Sequence, residues 1–258
     1  MRHTSTIRRS IAAAAAVSAG LSALTGCGSS GGAGSTATLT VFAASSLTQP
    51  FNTLAKRFEK QHPGTKVVFS YGPSSGLAQQ IQQGAPADVF ASASPTNMHQ
   101  VVKSGDVNGP TTFTRNKLEI AVPPDNPAHI HGLPDLAGKD VKVAVCQAAV
   151  PCGVVATTVF HNAGLHVKPA TEEVDVKSVL AKVSLDEVDA GLVYVTDVVA
   201  AGNKVKGVSI PASVNSTTLY PIATVKDSRH AELAAQFKDL VLSKRGRSVL
   251  AGDGFGKP

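Results

Sequence analysis

Charged and aromatic side chains are both scarce in this chain. Of its 258 residues, 16% are charged and 5% aromatic, and tryptophan is absent. No cluster of lysine and arginine interleaves with aromatic residues, which excludes nucleic acid as the expected partner. Histidine offers little for a metal. His129 and His131 share a Pro-punctuated loop, but no further ligand set at suitable spacing follows, so solvated surface is the expectation. Cysteine is limited to Cys27, Cys146 and Cys152, and no internal repeat is evident. The uncharged run Ile11 to Leu24 is Ala-rich, too short and too weakly apolar to make a stable membrane span.

That run reads instead as the centre of a secretory leader, residues 1–26, which opens on Arg2, Arg8 and Arg9. Its end, Leu24-Thr25-Gly26-Cys27, resembles the lipobox of bacterial lipoproteins. The resemblance implies that Cys27 is lipidated and becomes the first residue of the mature chain. Residues 28–36 are Gly/Ser-rich with nothing apolar to bury, so 27–36 is read as a slack tether on the outer face of a membrane. The whole chain carries 24 basic and 18 acidic residues. Without the three leader arginines the balance is 21 against 18, a net of +3, so the pI near 9.3 is inflated by the leader. Export leaves Cys146 and Cys152 in an oxidising compartment, where a pair six residues apart can close a small loop. Two free buried thiols are the alternative, and export favours the bridge.

The most informative stretch is Tyr71-Gly-Pro-Ser-Ser-Gly-Leu-Ala-Gln-Gln-Ile81. A β-rich run ends, a Gly/Pro/Ser turn follows, and an amphipathic helix begins with two hydroxyls at its expected N-cap. The first N–H groups of a helix lack intrahelical partners and sit at the positive end of its dipole. A serine beside them completes an anion site that carries no formal positive charge. Two other readings stand at this point. Gly72-x-Ser74-x-Gly76 also fits a nucleophile elbow, and the same residues make a plain turn before a helix.

From Ala37 onward, short β-branched runs alternate with helical patterns, which predicts a parallel α/β architecture. Leu39 to Phe42 is a strand followed by Ser45 and Ser46, expected N-caps of a helix with Leu47, Phe51, Leu54, Ala55 and Phe58 on one face. Further strands are expected at 117–122, 141–145, 191–195, 205–210 and 219–225, and further helices at 95–105, 153–162, 177–185 and 230–242. The repeated device of strand, serine turn and helix favours an anion site, because ligands of open α/β sheets sit beyond strand carboxyl ends. About 220 mature residues suit two α/β lobes. Lobe I is placed at 37–116 plus 213–258, and lobe II at 117–212.

Six runs then carry a resemblance. Thr40-Val-Phe-Ala-Ala-Ser-Ser-Leu47, Ser74-Ser-Gly-Leu-Ala-Gln-Gln-Ile81, Gly84-Ala-Pro-Ala-Asp-Val-Phe90, Val150-Pro-Cys-Gly153, Asp175-Val176 and Gly191-Leu-Val-Tyr194 span the mature chain. Jointly they resemble the periplasmic molybdate-binding proteins of ABC importers. The resemblance implies a two-lobed type II periplasmic binding fold, each lobe a mixed sheet flanked by helices. It implies capture of molybdate, and of tungstate, with no cofactor and no catalysis. Its ligand set falls on the hydroxyls of Ser46, Ser74 and Tyr194 and the backbone N–H groups of Cys152 and Val176. Ser45 and Ser75 leave a one-residue ambiguity for two of these. Cys152 and Pro73 depart from the residues common at those places. The implied partners are an ABC permease and its ATPase, with the protein a monomer held at the cell membrane by lipid.

Molybdate only accepts hydrogen bonds, so a site of donors suits it. Phosphate carries a proton at neutral pH and needs an acceptor, which these motifs are expected to lack. Sulfate is smaller and would leave donors stretched. Two further alternatives exist. A serine hydrolase would use Ser74 with Asp197 or Asp227 and His230, and a binding protein for sulfate or another oxyanion would keep the fold. A ferric site needs tyrosines or carboxylates together, which Tyr194 alone does not provide.

Overall fold

The computed structural model describes residues 37–258; the leader, Cys27 and the tether lie outside them. The first strand, β1 (Ala37–Ala44), divides its side chains by the two-residue period of a sheet. Leu39, Val41 and Ala43 enter one core and Phe42 the other. A 3-10 turn at Ser45–Leu47 leads into α1 (Thr48–Gln61), which buries Phe51, Leu54, Ala55 and Phe58 as their spacing predicts. Next come β2 (Thr65–Gly72), α2 (Ser74–Gln82), β3 (Val89–Ala91) and α3 (Pro95–Lys103). Ser94 caps α3 by accepting from the Asn97 N–H, and Pro95 fits the first turn, where a missing N–H costs nothing.

The long strand β4 (Val107–Val122) then opens the second half. There follow β5 (Val143–Cys146), α4 (Pro151–Asn162), β6 (Thr171–Glu173), α5 (Val176–Ser184), β7 (Ala190–Tyr194), α6 (Val195–Ala201) and β8 (Lys206–Val208). The chain returns through β9 (Thr217–Val225) and ends on α7 (Ala231–Leu242) and α8 (Lys244–Gly252). At the end of α4, Gly164 takes a φ of +64°, the left-handed conformation that stops a helix and that glycine adopts without strain.

Among the described residues the strands run β2-β1-β3-β9-β4-β7-β5-β6, with β8 on β4. Two parallel triplets, β2-β1-β3 and β7-β5-β6, flank a central antiparallel pair. β4 pairs with β9 as far as Lys117 and with β7 from Leu118, so this one strand passes from the first half to the second. The result is a two-lobed α/β protein.

The scarce aromatics are not shared evenly. Phe51, Phe58, Phe113 and Phe237 lie in the core under α1 and α7, with Phe58 and Phe237 edge-on at 5.4 Å. The other face of that sheet packs Phe42, Leu77, Ile81, Phe90 and Met98 beneath α2 and α3. The second half is built from β-branched and aliphatic residues, with Val155, Val159, Val179 and Val183 closing on Ile120, Val143 and Leu192.

Four elements differ from the sequence reading. β4 starts ten residues before the expected Lys117, because β9 lies beside it and supplies ladder partners for a polar Thr/Asn/Gly segment. β6 and α6 are added: Thr171-Glu-Glu173 has no apolar alternation, and Val195-Thr-Asp-Val-Val-Ala-Ala201 has strand-like composition. α8 forms despite Gly246, whose added Cβ would lie 2.1 Å from the Val241 carbonyl oxygen, so the tight α7–α8 corner requires glycine.

Candidate functional site

Both parallel triplets point their carboxyl ends at one place. β1 ends on Ala44 before Ser45 and Ser46; β2 ends on Gly72 before Pro73 and Ser74; β3 is followed by Ser92 and Ala93. From the other half, β5 leads through Val150 to Cys152, β6 leads to Asp175 and Val176, and β7 ends on Tyr194. The ends of these strands and the turns after them line a cleft that contains Ser45, Ser46, Ser74, Ala93, Cys152, Asp175, Val176 and Tyr194. All five residues that the sequence singled out as donors therefore lie on one surface. None of the lining residues is lysine, arginine or histidine.

The donors there arise from helix geometry. Ser74 is the first residue of α2, Val176 the first of α5, and Cys152 the second of α4, while Ser46 sits inside the 3-10 turn before α1. N–H groups at such positions have no acceptor within their own helix, and the helix dipole makes this end positive. Ser74 is 1% exposed; its Oγ accepts from the Ala93 N–H at 2.9 Å, which leaves its own proton free. The Ser46 Oγ lies 2.9 Å from the Tyr220 Oη, both buried. Tyr194 is 1% exposed, and its Oη has no hydrogen-bond partner among the described residues.

The turn before α4 is held from both sides. Cys146 and Cys152 form a disulfide with their Cα atoms 5.7 Å apart. Gly153 allows the backbone to close on itself: a Cβ there would fall 1.9 Å from the Gln147 carbonyl oxygen. This close approach, together with the bridge, fixes where the Cys152 N–H points.

Two carboxylates stand near the cleft. Asp175 is half-buried at the N-cap of α5, and both its oxygens are occupied. Oδ1 accepts from the Ser178 N–H at 2.9 Å and the Ser178 hydroxyl at 3.1 Å, and Oδ2 accepts from the Ser45 hydroxyl at 2.6 Å. Asp197 is fully buried. Its Oδ2 accepts from the Tyr194 N–H at 3.1 Å. Its Oδ1 faces the Lys177 ammonium at 3.0 Å, an ion pair by distance whose geometry falls outside that of a hydrogen bond. Burial raises the Asp197 carboxyl above its ordinary range, against the pull of Lys177. Burial also pushes the Tyr194 phenol well up, with Tyr220 and Asp197 adding to it, and burial raises the Tyr220 phenol likewise.

Several sequence expectations need correction. Neither serine pair supplies an N-cap: the caps are Ala44 for the 3-10 turn, Leu47 for α1 and Pro73 for α2, and Ser45, Ser46 and Ser74 line the cleft whereas Ser75 does not. An acceptor does line the cleft, namely Asp175, contrary to the donor-only expectation. The hydrolase constellation does not assemble. Ser74 is met by a backbone N–H and Asp197 is tied to Lys177 and Tyr194, while Asp227 and His230 lie together before α7 at a pocket that shares no residue with the cleft of Ser74. Tyr220 and Asp175 were missed as parts of the site, because their partners Ser46 and Ser45 lie 174 and 130 residues away in sequence. His129 and His131 are exposed, and no group of metal-ligating residues occurs among the described residues.

A two-lobed α/β protein whose cleft gathers helix N-termini has the form of an extracytoplasmic solute-binding protein. The chain belongs to the bacterial extracellular solute-binding protein family, whose model matches residues 39–256. It is 40% identical to the molybdate-binding protein ModA of Mycobacterium tuberculosis, across 91% of this chain and 93% of that one. The substrate-binding domain of a putative molybdenum ABC transporter from Clostridium difficile superposes with a TM-score of 0.66 at 29% identity, covering 86% of this chain and 99% of that one. The Azotobacter vinelandii periplasmic molybdate-binding protein shares the fold with a TM-score of 0.75 at 22% identity, covering 85% and 99%.

Proposed function

We propose that this protein captures molybdate, with tungstate as a close second, and delivers it to an ABC importer made of a permease and its ATPase. The observation that carries the reading is Tyr194: a buried phenol without a hydrogen-bond partner among the described residues, facing a cleft of helix N-termini lined by no basic side chain. A dianion that only accepts hydrogen bonds satisfies that phenol and the free N–H groups together. The M. tuberculosis relative, similar along almost its full length, supports the same ligand.

In this reading Ser46, Ser74 and Tyr194 donate through hydroxyls, and Cys152 and Val176 through backbone N–H groups. Either oxygen of the buried Ser46–Tyr220 pair can donate, and with the Tyr220 hydroxyl donating, the Ser46 proton is turned to the ligand. The Ala93 N–H does the same for Ser74. Each charge-assisted bond contributes about 1.5–3 kcal/mol, and several together offset the ion's desolvation. The Cys146–Cys152 bridge reduces the ordering that binding must impose on the Cys152 turn.

Lobe I comprises 37–116 with 213–258, and lobe II 117–212. A lipid on Cys27 holds the monomeric protein to the outer face of the cell membrane through the tether 27–36.

The test is the thermal shift of the purified protein against molybdate, tungstate, sulfate and phosphate. Molybdate and tungstate should raise Tm with ligand concentration over Kd, sulfate should do so far less, and phosphate not at all. An equal shift with sulfate would refute the proposed selectivity.

A further inference from the structure

We propose that Ser45 determines oxyanion selectivity by masking an acceptor, Asp175, which would otherwise let the cleft take protonated tetrahedral anions such as hydrogen phosphate or hydrogen arsenate. This rests on the reading of the cleft as an oxyanion site and deepens it. Asp175 lines the cleft beside Val176, one of the backbone donors in that reading. Such a carboxylate in an anion site is a liability for an acceptor-only ion, since it offers repulsion and no bond. For an anion that keeps a proton it is an asset, because that proton needs an acceptor.

The structure shows how the liability is contained. Asp175 is also the N-cap of α5, so it cannot be removed without freeing the Ser178 N–H. Its Oδ1 is consumed by that cap, from both the N–H and the hydroxyl of Ser178. Its Oδ2 would face the cleft, but the Ser45 hydroxyl, from the opposite lobe, donates to it at 2.6 Å. The Ser45 Oγ makes no other hydrogen bond among the described residues, so its proton is committed to the carboxylate. Ser46, next in sequence, has its separate link to Tyr220. The two adjacent serines therefore have different roles: Ser46 presents a donor and Ser45 hides an acceptor.

Removing the Ser45 hydroxyl exposes Oδ2. Aprotic dianions then bind more weakly, and a protonated oxyanion gains a partner. Exchanging Asp175 for asparagine in the same background reverses the second effect. The cap holds the amide oxygen on the Ser178 N–H, so the NH2 group takes the Oδ2 place and offers a donor.

The experiment is calorimetric titration of wild type, Ser45→Ala and Ser45→Ala/Asp175→Asn with phosphate, sulfate and molybdate, at a pH where phosphate is mostly the monohydrogen dianion. The readout is the affinity ratio of phosphate to the aprotic oxyanion that the wild type binds. That ratio should rise at least tenfold in Ser45→Ala and fall back in the double variant. An unchanged ratio in Ser45→Ala, or a rise that persists in the double variant, overturns the proposal. Ser45→Gly, which also lacks the hydroxyl, must give the same rise and serves if the alanine variant does not fold. Failure of the wild type to bind molybdate strikes the function proposed above, and the ratio is then read against sulfate.

Discussion

Replacing Tyr194 by phenylalanine removes one oxygen whose position makes opposite demands on the free and the loaded protein. Among the described residues the Oη has no hydrogen-bond partner, so its removal breaks no bond there. The ring stays, edge-on to Tyr220 at 6.2 Å, and the packing around it is unchanged. The melting temperature of the ligand-free protein should therefore stay within about 2 °C of wild type, or rise, since an unsatisfied buried hydroxyl costs about 1–3 kcal/mol where water cannot reach it. Binding should suffer. A charge-assisted bond of about 1.5–3 kcal/mol corresponds to a roughly 10- to 150-fold weaker Kd for molybdate. At saturating ligand the same energy disappears from the linkage stabilisation. With about 2–4 °C per kcal/mol for a domain of this size, the molybdate-induced shift should shrink by roughly 3–12 °C. Scanning calorimetry with and without molybdate, joined to isothermal titration, measures both quantities. A variant that loses stability without ligand yet binds molybdate normally would show that Tyr194 is a core residue and not a ligand donor.

Two further perturbations test the frame of the site. Gly153→Ala sets a Cβ against the Gln147 carbonyl oxygen, backbone against backbone, so it should destabilise the protein by about 3 kcal/mol or more and lower Tm by roughly 6–12 °C; a wild-type melting curve would show that the turn is looser than its geometry implies. Burial raises the phenol pKa of Tyr71, of Tyr194 and of Tyr220 above the ordinary 10.0. A folded pKa above the unfolded one means stability that is complete below the ordinary value and lost as pH climbs through the raised ones. These are the chain's three tyrosines, so phenolate absorbance at 295 nm should stay flat between about pH 9 and 11 and appear only with unfolding. A phenol ionising near the ordinary value in the folded protein would contradict the burial.

The parts of this molecule that were legible in the sequence are those written in consecutive residues. The α1 face, the Pro95 start of α3, the Gly164 stop and the serine turns each follow from local spacing or local φ, and the structure has them. What local pattern could not supply is the partner of each group. The polar stretch from Asn108 to Thr112 is a strand only because β9 lies alongside, and Lys244-Arg-Gly246 is a helix only because glycine lets α8 fold back on α7. The serines illustrate the limit best. Their presence beside helix N-termini was readable, but Ser45 and Ser46 are told apart only by Asp175 and Tyr220, which the chain brings in from 130 and 174 residues away.

The same long-range placement explains why the cleft has no counter-charge although a lysine stands at its edge. Lys177 is the second residue of α5, directly after Val176, yet its ammonium turns to Asp197 and does not line the cleft. Asp197 is kept fully buried for this, and that burial raises its carboxyl pKa. A free lysine in the cleft would attract any small anion and discriminate poorly, since a point charge has no preference for an ion without protons. Fixed hydroxyls and N–H groups do have that preference, because each must find an acceptor and a bound proton would confront one of them. Lys177 is tied back to Asp197, and that same carboxylate to the Tyr194 N–H, so in the proposed function oriented dipoles are left to do the recognition.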